Sequence, residues 1–183
     1  MTTIQAILNP KSVAVVGASN DPAKLTGRPI AYLQAQGFDG DIYPINPRYD
    51  EIAGLKCYGS AGDLPQAPDL GLVLVGANRV IDAVRDLSAK GTKAAVVLAS
   101  GFGEAGEEGR ARQEQLREAA GEMRLLGPNT IGLVNITDKI PLTASGAMES
   151  DDFPEGSVAL LSQSGGILGS LLSRAVARGI GFS

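Results

Sequence analysis

The sequence contains no histidine and no tryptophan, and its one cysteine is Cys57. Without histidine a Ser-His-Asp triad cannot assemble within the chain, and a metal site would lack its commonest ligand. One cysteine forms no intrachain disulfide, and Met1-Thr2-Thr3-Ile4-Gln5 lacks the basic-then-apolar order of a secretion signal, so a reducing cytoplasm is expected. No apolar run approaches the roughly 20 residues that span a bilayer, so no membrane is expected. Sixteen Lys and Arg stand against 20 Asp and Glu, with no basic cluster. The counterion-release term that drives nucleic-acid binding is therefore missing. The carboxylates show no E-x-x-H or EF-hand spacing, and no metal is expected. Glu104-Ala105-Gly106-Glu107-Glu108 reads as a solvated loop and helix start, and Cys57 as packing.

What is present is aliphatic and glycine-rich: 44% apolar residues, only 4% aromatic, and 24 Gly. Ser12-Val13-Ala14-Val15-Val16 ends at Gly17 and reads as a strand buried on both faces. Asp41-Ile42-Tyr43-Pro44-Ile45, Leu70-Gly71-Leu72-Val73-Leu74-Val75, Ala94-Ala95-Val96-Val97-Leu98 and Met123-Arg124-Leu125-Leu126 repeat the pattern. Helical signals lie between them. Pro29 marks a first turn with Gly37 past the end. Asn78 is a candidate N-cap for a helix with Val80, Ile81, Val84 and Leu87 on one face and Gly91 after it, and a third helix covers 107–120. Alternating strands and helices predict right-handed crossovers and an α/β, doubly wound parallel sheet, Rossmann-like, over residues 1–150. Its ligands bind at the carboxyl ends of the strands.

The stretch through Thr137-Asp138-Lys139-Ile140-Pro141 to Asp151-Asp152-Phe153-Pro154 reads as a linker, with a boundary near Asp152. Beyond it, Ser157-Val158-Ala159-Leu160-Leu161 restarts a strand. Residues 165–178 restart a helix with Ile167, Leu168, Leu171, Leu172, Ala175 and Val176 on one face. Residues 151–183 therefore read as the opening strand and helix of a second domain. The expectation is a fragment whose last helix docks on the first domain or self-associates, giving a possible homo-oligomer.

Three loops carry candidate chemistry. Gly17-Ala18-Ser19-Asn20-Asp21-Pro22 occupies the turn where a dinucleotide fold places G-x-G-x-x-G, with Ser19 and Pro22 at the later glycine positions. It is either a ligand loop or a structural turn. Asn46-Pro47-Arg48-Tyr49 follows the second strand, where an NAD domain offers an acidic residue to the ribose. Arg48 there suits the 2′-phosphate of NADP, the 3′-phospho-ADP part of coenzyme A, or solvent. Ser162-Gln163-Ser164-Gly165-Gly166 sits between a strand and a helix, where free N–H groups attract phosphate, and equally where a plain Ser N-cap belongs.

Taken in order, Val13-Ala14-Val15-Val16-Gly17-Ala18-Ser19, Tyr43-Pro44-Ile45-Asn46-Pro47-Arg48, Val75-Gly76-Ala77, Ala99-Ser100-Gly101-Phe102, Leu126-Gly127-Pro128-Asn129 and Leu161-Ser162-Gln163-Ser164-Gly165 resemble the CoA-binding domain of NDP-forming acyl-CoA synthetases and the related succinyl-CoA synthetase α subunit. The resemblance implies that Gly17, Ala18, Ser19, Asn20, Arg48, Val75, Ala99, Ser100 and Gly101 contact coenzyme A. Arg48 stands where that family usually has a lysine, and Gly76 interrupts its Val-Pro-Ala. Ser162, Ser164 and Gly165 match the turn whose helix stabilises phosphate. Residues 151–183 would then open a flavodoxin-like second domain. The implied reaction joins an acid to CoA at the expense of ATP through an acyl phosphate and a phosphohistidine. That histidine, the ATP-grasp portion, and the ATP, ADP and Mg²⁺ sites lie outside these residues. The implied partners are CoA, an acyl substrate and an ATP-grasp domain or subunit. The competing readings are an NADP-dependent oxidoreductase domain and a CoA-sensing domain of a protein lysine acetyltransferase.

Overall fold

All five residues of strand β1 (Ser12–Val16) are buried, as a strand covered on both faces requires. The computed structural model describes residues 2–149 and 154–183. Strands β2 (Asp41–Ile45), β5 (Leu70–Val73), β6 (Ala94–Val97) and β7 (Arg124–Leu126) join β1 in a five-stranded sheet of order β2-β1-β5-β6-β7, with every pairing parallel. Two residue pairs, Glu51–Ile52 (β3) and Leu55–Lys56 (β4), form a short hairpin beyond β2.

Successive strand residues point to opposite faces, which splits the core in two. Val13, Val15, Leu70 and Leu72 pack with Ile30 and Leu33 on one side, whereas Ala14, Val16, Val73 and Val97 pack with Val80, Val84 and Leu87 on the other. The first side carries α1 (Thr3–Leu8) and α2 (Arg28–Ala35), and the second α3 (Ala77–Lys90) and α4 (Glu107–Ala120). Helix α3 ends at Gly91, which turns left-handed at φ 96°. Its start departs from the expected cap: Gly76 holds the N-cap position with no side-chain bond, and Asn78 lies inside the first turn. The extended backbone at Gly76 lets its carbonyl accept from Arg79 N at 2.8 Å, so the helix begins before Asn78 can cap it.

The stretch expected as a linker is largely structured. Strands β8 (Gly132–Asn135) and β9 (Ile140–Thr143) pair antiparallel, and Ile140 and Leu142 are buried in the cluster beneath α2. The polar residues that suggested a linker are the hairpin turn: Asp138 N donates to Asn135 Oδ1 at 3.0 Å, and Asn135 Nδ2 donates to the Leu8 carbonyl at 2.8 Å. Pro141 is tolerated because a two-stranded ribbon leaves one edge unpaired. The boundary expected near Asp152 lies outside the described residues.

After them, β10 (Glu155–Val158) starts and ends earlier than expected, and α5 (Gly165–Val176) follows. Leu161, expected in the strand, is 89% exposed. Helix α5 buries none of its residues, and Ile167 and Leu171 are exposed at 58% and 44%. Its first turn lies against the segment between β7 and β8, because a Cβ on Gly165 would lie 2.8 Å from Ile131 Cγ2. Among the described residues no helix is long and apolar enough to cross a membrane.

Candidate functional site

The chain runs outward from β1 to β2, returns past β1 and continues through β5, so the winding reverses between β1 and β5. A crevice at the carboxyl ends of these strands is where such sheets bind ligands. An open cleft of about 440 Å³ lies there, lined by the β1 loop, the β2 loop, Leu74 and Val75 after β5, the turn at Gly59, Ser60 and Ala61, and one side of α3.

The β1 loop is held close to β5. Gly17 sits at φ +85°, and a Cβ on it would lie 2.8 Å from Val75 Cγ1, so only glycine passes there. Gly17 N donates to the Ile45 carbonyl at 2.8 Å, and Ser19 N to the Thr26 carbonyl at 3.1 Å. The loop thereby folds back on itself and sets Lys24 and Thr26 on the cleft wall beside Gly17, Ala18 and Ser19. Lys24 is 3.5 Å from Asp21 with both side chains largely in solvent, a contact of small energetic weight.

The β2 loop adds Arg48 to the cleft. Asn46 donates through Nδ2 to the Ala18 carbonyl at 2.7 Å and accepts from Arg48 N at 3.1 Å. Both ends of its amide are thus committed to protein, at the position where an NAD domain keeps a carboxylate for the ribose. Arg48 and Arg79 line the cleft, and neither forms an ion pair with a described residue. Cys57 lies behind this loop, buried, with Sγ 3.4 Å from the Asn46 carbonyl. Burial pushes its thiol pKa up, which leaves it protonated and a poor nucleophile.

Of the residues singled out in the sequence, Gly17, Ala18, Ser19, Arg48 and Val75 share this cleft; Asn20, Ala99, Ser100 and Gly101 are not among its lining. Asn20 turns its Oδ1 to the Ala53 amide of the β3–β4 hairpin at 3.0 Å. Ala99, Ser100 and Gly101 follow β6, one strand beyond β5. There Glu104 does more than face solvent: its Oε1 accepts from Gly101 N at 2.5 Å and Phe102 N at 3.3 Å. These amide donors, Gly101 foremost, lower its carboxyl pKa. Arg112 donates to the Gly101 carbonyl from the other side.

The turn Ser162-Gln163-Ser164-Gly165 stands farther along the same edge, against Ile131 in the segment after β7. Ser164 caps α5, with Oγ accepting from Ile167 N at 3.4 Å, and its own N donates to Ser162 Oγ at 3.0 Å. Both serines are exposed. Lys24, Thr26, Ser60 and Arg79 were not singled out in the sequence, and Asn46 was quoted there only as part of its loop. For Arg79 a signal existed: positions 79, 83 and 86 form a helical stripe beside the buried Val80, Val84 and Leu87. No group of three or more Cys, Asp or Glu side chains suited to a metal occurs among the described residues.

Residues 11–136 match the family described as CoA binding domain. A trans-feruloyl-CoA synthase of an unknown prokaryotic organism is 38% identical over 97% of this chain and 26% of its own length. The α subunit of ADP-forming acetate–CoA ligase II from Pyrococcus furiosus is 36% identical over 96% of this chain and 37% of its own. Among solved structures, the apo form of the dinucleotide-forming acetyl-coenzyme A synthetase 1 of Ca. Korarchaeum cryptofilum superposes with a TM-score of 0.90 at 37% identity, covering 97% of this chain and 38% of that one. The chain thus spans well under half the length of these relatives.

Proposed function

Since this chain belongs to the CoA binding domain family, we propose that it is the coenzyme A-binding part of an ADP-forming acyl-CoA synthetase. The observation that carries this is the cleft between the ends of β1, β2 and β5, lined by a glycine-pinned loop and by Arg48, which forms no ion pair with a described residue. Coenzyme A is anionic through its diphosphate and 3′-phosphate. The wall formed by Gly17, Ala18 and Ser19 allows close backbone approach, and Lys24, Arg48 and Arg79 supply the matching charge.

In this reading Gly17, Ala18, Ser19, Arg48 and Val75 hold the nucleotide end. Asn20 braces the β1 loop through Ala53 in addition to any ligand contact. Ala99, Ser100 and Gly101 lie along the route of the thiol arm, and the Ser162, Ser164 and Gly165 turn takes a phosphate group. Residues 151–183 open the second domain. Coenzyme A supplies the thiol that receives the acyl group, and the acid, ATP and Mg²⁺ are handled by an ATP-grasp domain or subunit. The sequence has no histidine, so a phosphoryl-carrying histidine comes from outside these residues. The NADP reading loses its support in the double commitment of Asn46 and the incomplete glycine fingerprint. The acetyltransferase-sensor reading has none among the relatives described above.

The test is calorimetric titration of the purified chain with CoA, NAD and NADP. CoA is expected to bind more tightly than either dinucleotide, and Arg48→Ala to weaken CoA by about 1.5–3 kcal/mol, the range for hydrogen bonds to charged groups. NAD binding equal to or tighter than CoA overturns the proposal.

A further inference from the structure

Helix α3 presents to the cleft three side chains in a row: Arg79, Ala83 and Asp86. Their spacing of four and three residues places them on one stripe, next to the stripe of Val80, Val84 and Leu87 that enters the core. At 1.5 Å of rise per residue, Arg79 and Asp86 are about 10 Å apart along the axis. Neither is paired with a described charge, whereas the neighbouring Asp82 binds Arg85 at 2.5 Å. From the sheet edge downward the stripe offers a guanidinium, a small apolar surface and a carboxylate. Tyr49, 38% exposed, lines the same cleft from the β2 loop. Asp86 is a carboxylate in a cleft otherwise charged by Lys24, Arg48 and Arg79. A purely anionic ligand gives it no role. A ligand with a phosphate at one end and an N–H donor beyond a flat ring does.

We propose that α3 reads the adenosine 3′-phosphate end of coenzyme A, with Arg79 donating to the 3′-phosphate and Asp86 accepting from the adenine 6-amino group. The assignment rests on the CoA reading above. It leaves the Gly17-Ala18-Ser19 loop and Arg48 to the diphosphate, Ala83 to the ring edge and Tyr49 to its face, where an aromatic surface stacks well on a base.

The experiment titrates the chain, Arg79→Ala and Asp86→Ala with CoA, 3′-dephospho-CoA and 1,N6-etheno-CoA, in which the 6-amino nitrogen is locked into a ring. Both residues are exposed, and circular dichroism checks that the variants keep the fold. Arg79→Ala is expected to weaken CoA by roughly tenfold to a hundredfold while changing dephospho-CoA by less than about twofold. Asp86→Ala is expected to weaken CoA by roughly tenfold and leave etheno-CoA unchanged. Equal losses for CoA and dephospho-CoA in Arg79→Ala, or for CoA and etheno-CoA in Asp86→Ala, overturn the assignment, as does no loss at all. Failure of the unmodified chain to bind CoA would instead overturn the underlying reading.

Discussion

Asn46 fastens the end of β2 to the first turn after β1, its Nδ2 donating to the Ala18 carbonyl at 2.7 Å while its Oδ1 accepts from Arg48 N at 3.1 Å. One side chain thus sets the separation of the two loops that form the mouth of the cleft. Asn46→Asp removes the donor and brings a negative charge beside the proposed phosphate site. Unfolding in urea is expected to show a loss of about 1–3 kcal/mol, the cost of stranding a partly buried carbonyl, together with weaker CoA binding. Asn46→Ala should reproduce the stability loss. An unchanged urea midpoint in both variants would show that the tie is idle.

Gly17 brings the β1 loop against Val75 just past the end of β5. Gly17→Ala must accommodate both φ +85° and a Cβ 2.8 Å from Val75 Cγ1. A left-handed non-glycine residue costs about 1–3 kcal/mol before the clash is counted. Reduced thermal stability and a steep loss of CoA affinity are expected. Additional replacement of Val75 by Ala relieves only the clash, so the double variant should recover part of the stability.

Gly71 lies in the middle of β5 because Leu87 fills the space above it. A Cβ on Gly71 would stand 2.4 Å from Leu87 Cδ1, and Gly71→Ala is expected to destabilise by about 1–3 kcal/mol through overpacking. Combined with Leu87→Ala, the loss should be smaller than the sum of the two single losses, because the new methyl enters the vacated space. Strict additivity would remove this explanation.

Glu104 supplies a pH dependence with a definite sign. Its carboxyl pKa is lowered in the folded chain by the Gly101, Glu104 and Phe102 amides. The stabilisation is therefore complete above the ordinary glutamate range and is lost as pH falls through the lowered folded value. Comparing urea midpoints of the chain and Glu104→Gln at neutral and acidic pH checks this. The difference between them should shrink on the acid side, and a difference that grows there contradicts the assignment.

The chain alone is expected to bind CoA but to form no acyl-CoA from an acid, ATP, Mg²⁺ and CoA. Phosphoryl relay by histidine needs a side chain that the sequence lacks, and no other residue combines its nucleophilicity with a near-neutral pKa. Mass spectrometry of the reaction mixture decides the matter, and sustained enzyme-dependent product refutes the proposed division of labour.

The parallel sheet was legible because its strands are apolar on both faces. Ser12–Val16, Asp41–Ile45, Leu70–Val73 and Ala94–Val97 are strands within two residues of where the runs of Val, Ile and Leu placed them. The β8–β9 hairpin was not, since Asn135, Asp138 and Lys139 carry loop chemistry and Pro141 argues against a strand, while Ile140 and Leu142 find their core only in three dimensions. The candidate ligand loops announced themselves by position at strand ends. Lys24 and Thr26 did not, because their place on the cleft depends on Gly27 folding the loop back: a Cβ there would lie 2.0 Å from the Asp21 carbonyl oxygen. Ser60 reaches the cleft through a turn between elements, which carries no periodic signal.

The order β2-β1-β5-β6-β7 also acts as a ruler. Neighbouring strands lie about 4.8 Å apart, so from the mouth of the cleft at β1 to the end of β7 is roughly 14 Å across three strand spacings. The Ser164 turn abuts Ile131 just past that end. A ligand anchored by its charged head at Gly17 meets that turn only through an extended, flexible arm laid across the loops of β5 and β6. The width of the sheet, set by hydrogen-bond geometry, thus contributes most of the separation between the cleft and the Ser164 turn, and in the proposed reading a shortened arm would leave its tip over Ala99 and Ser100.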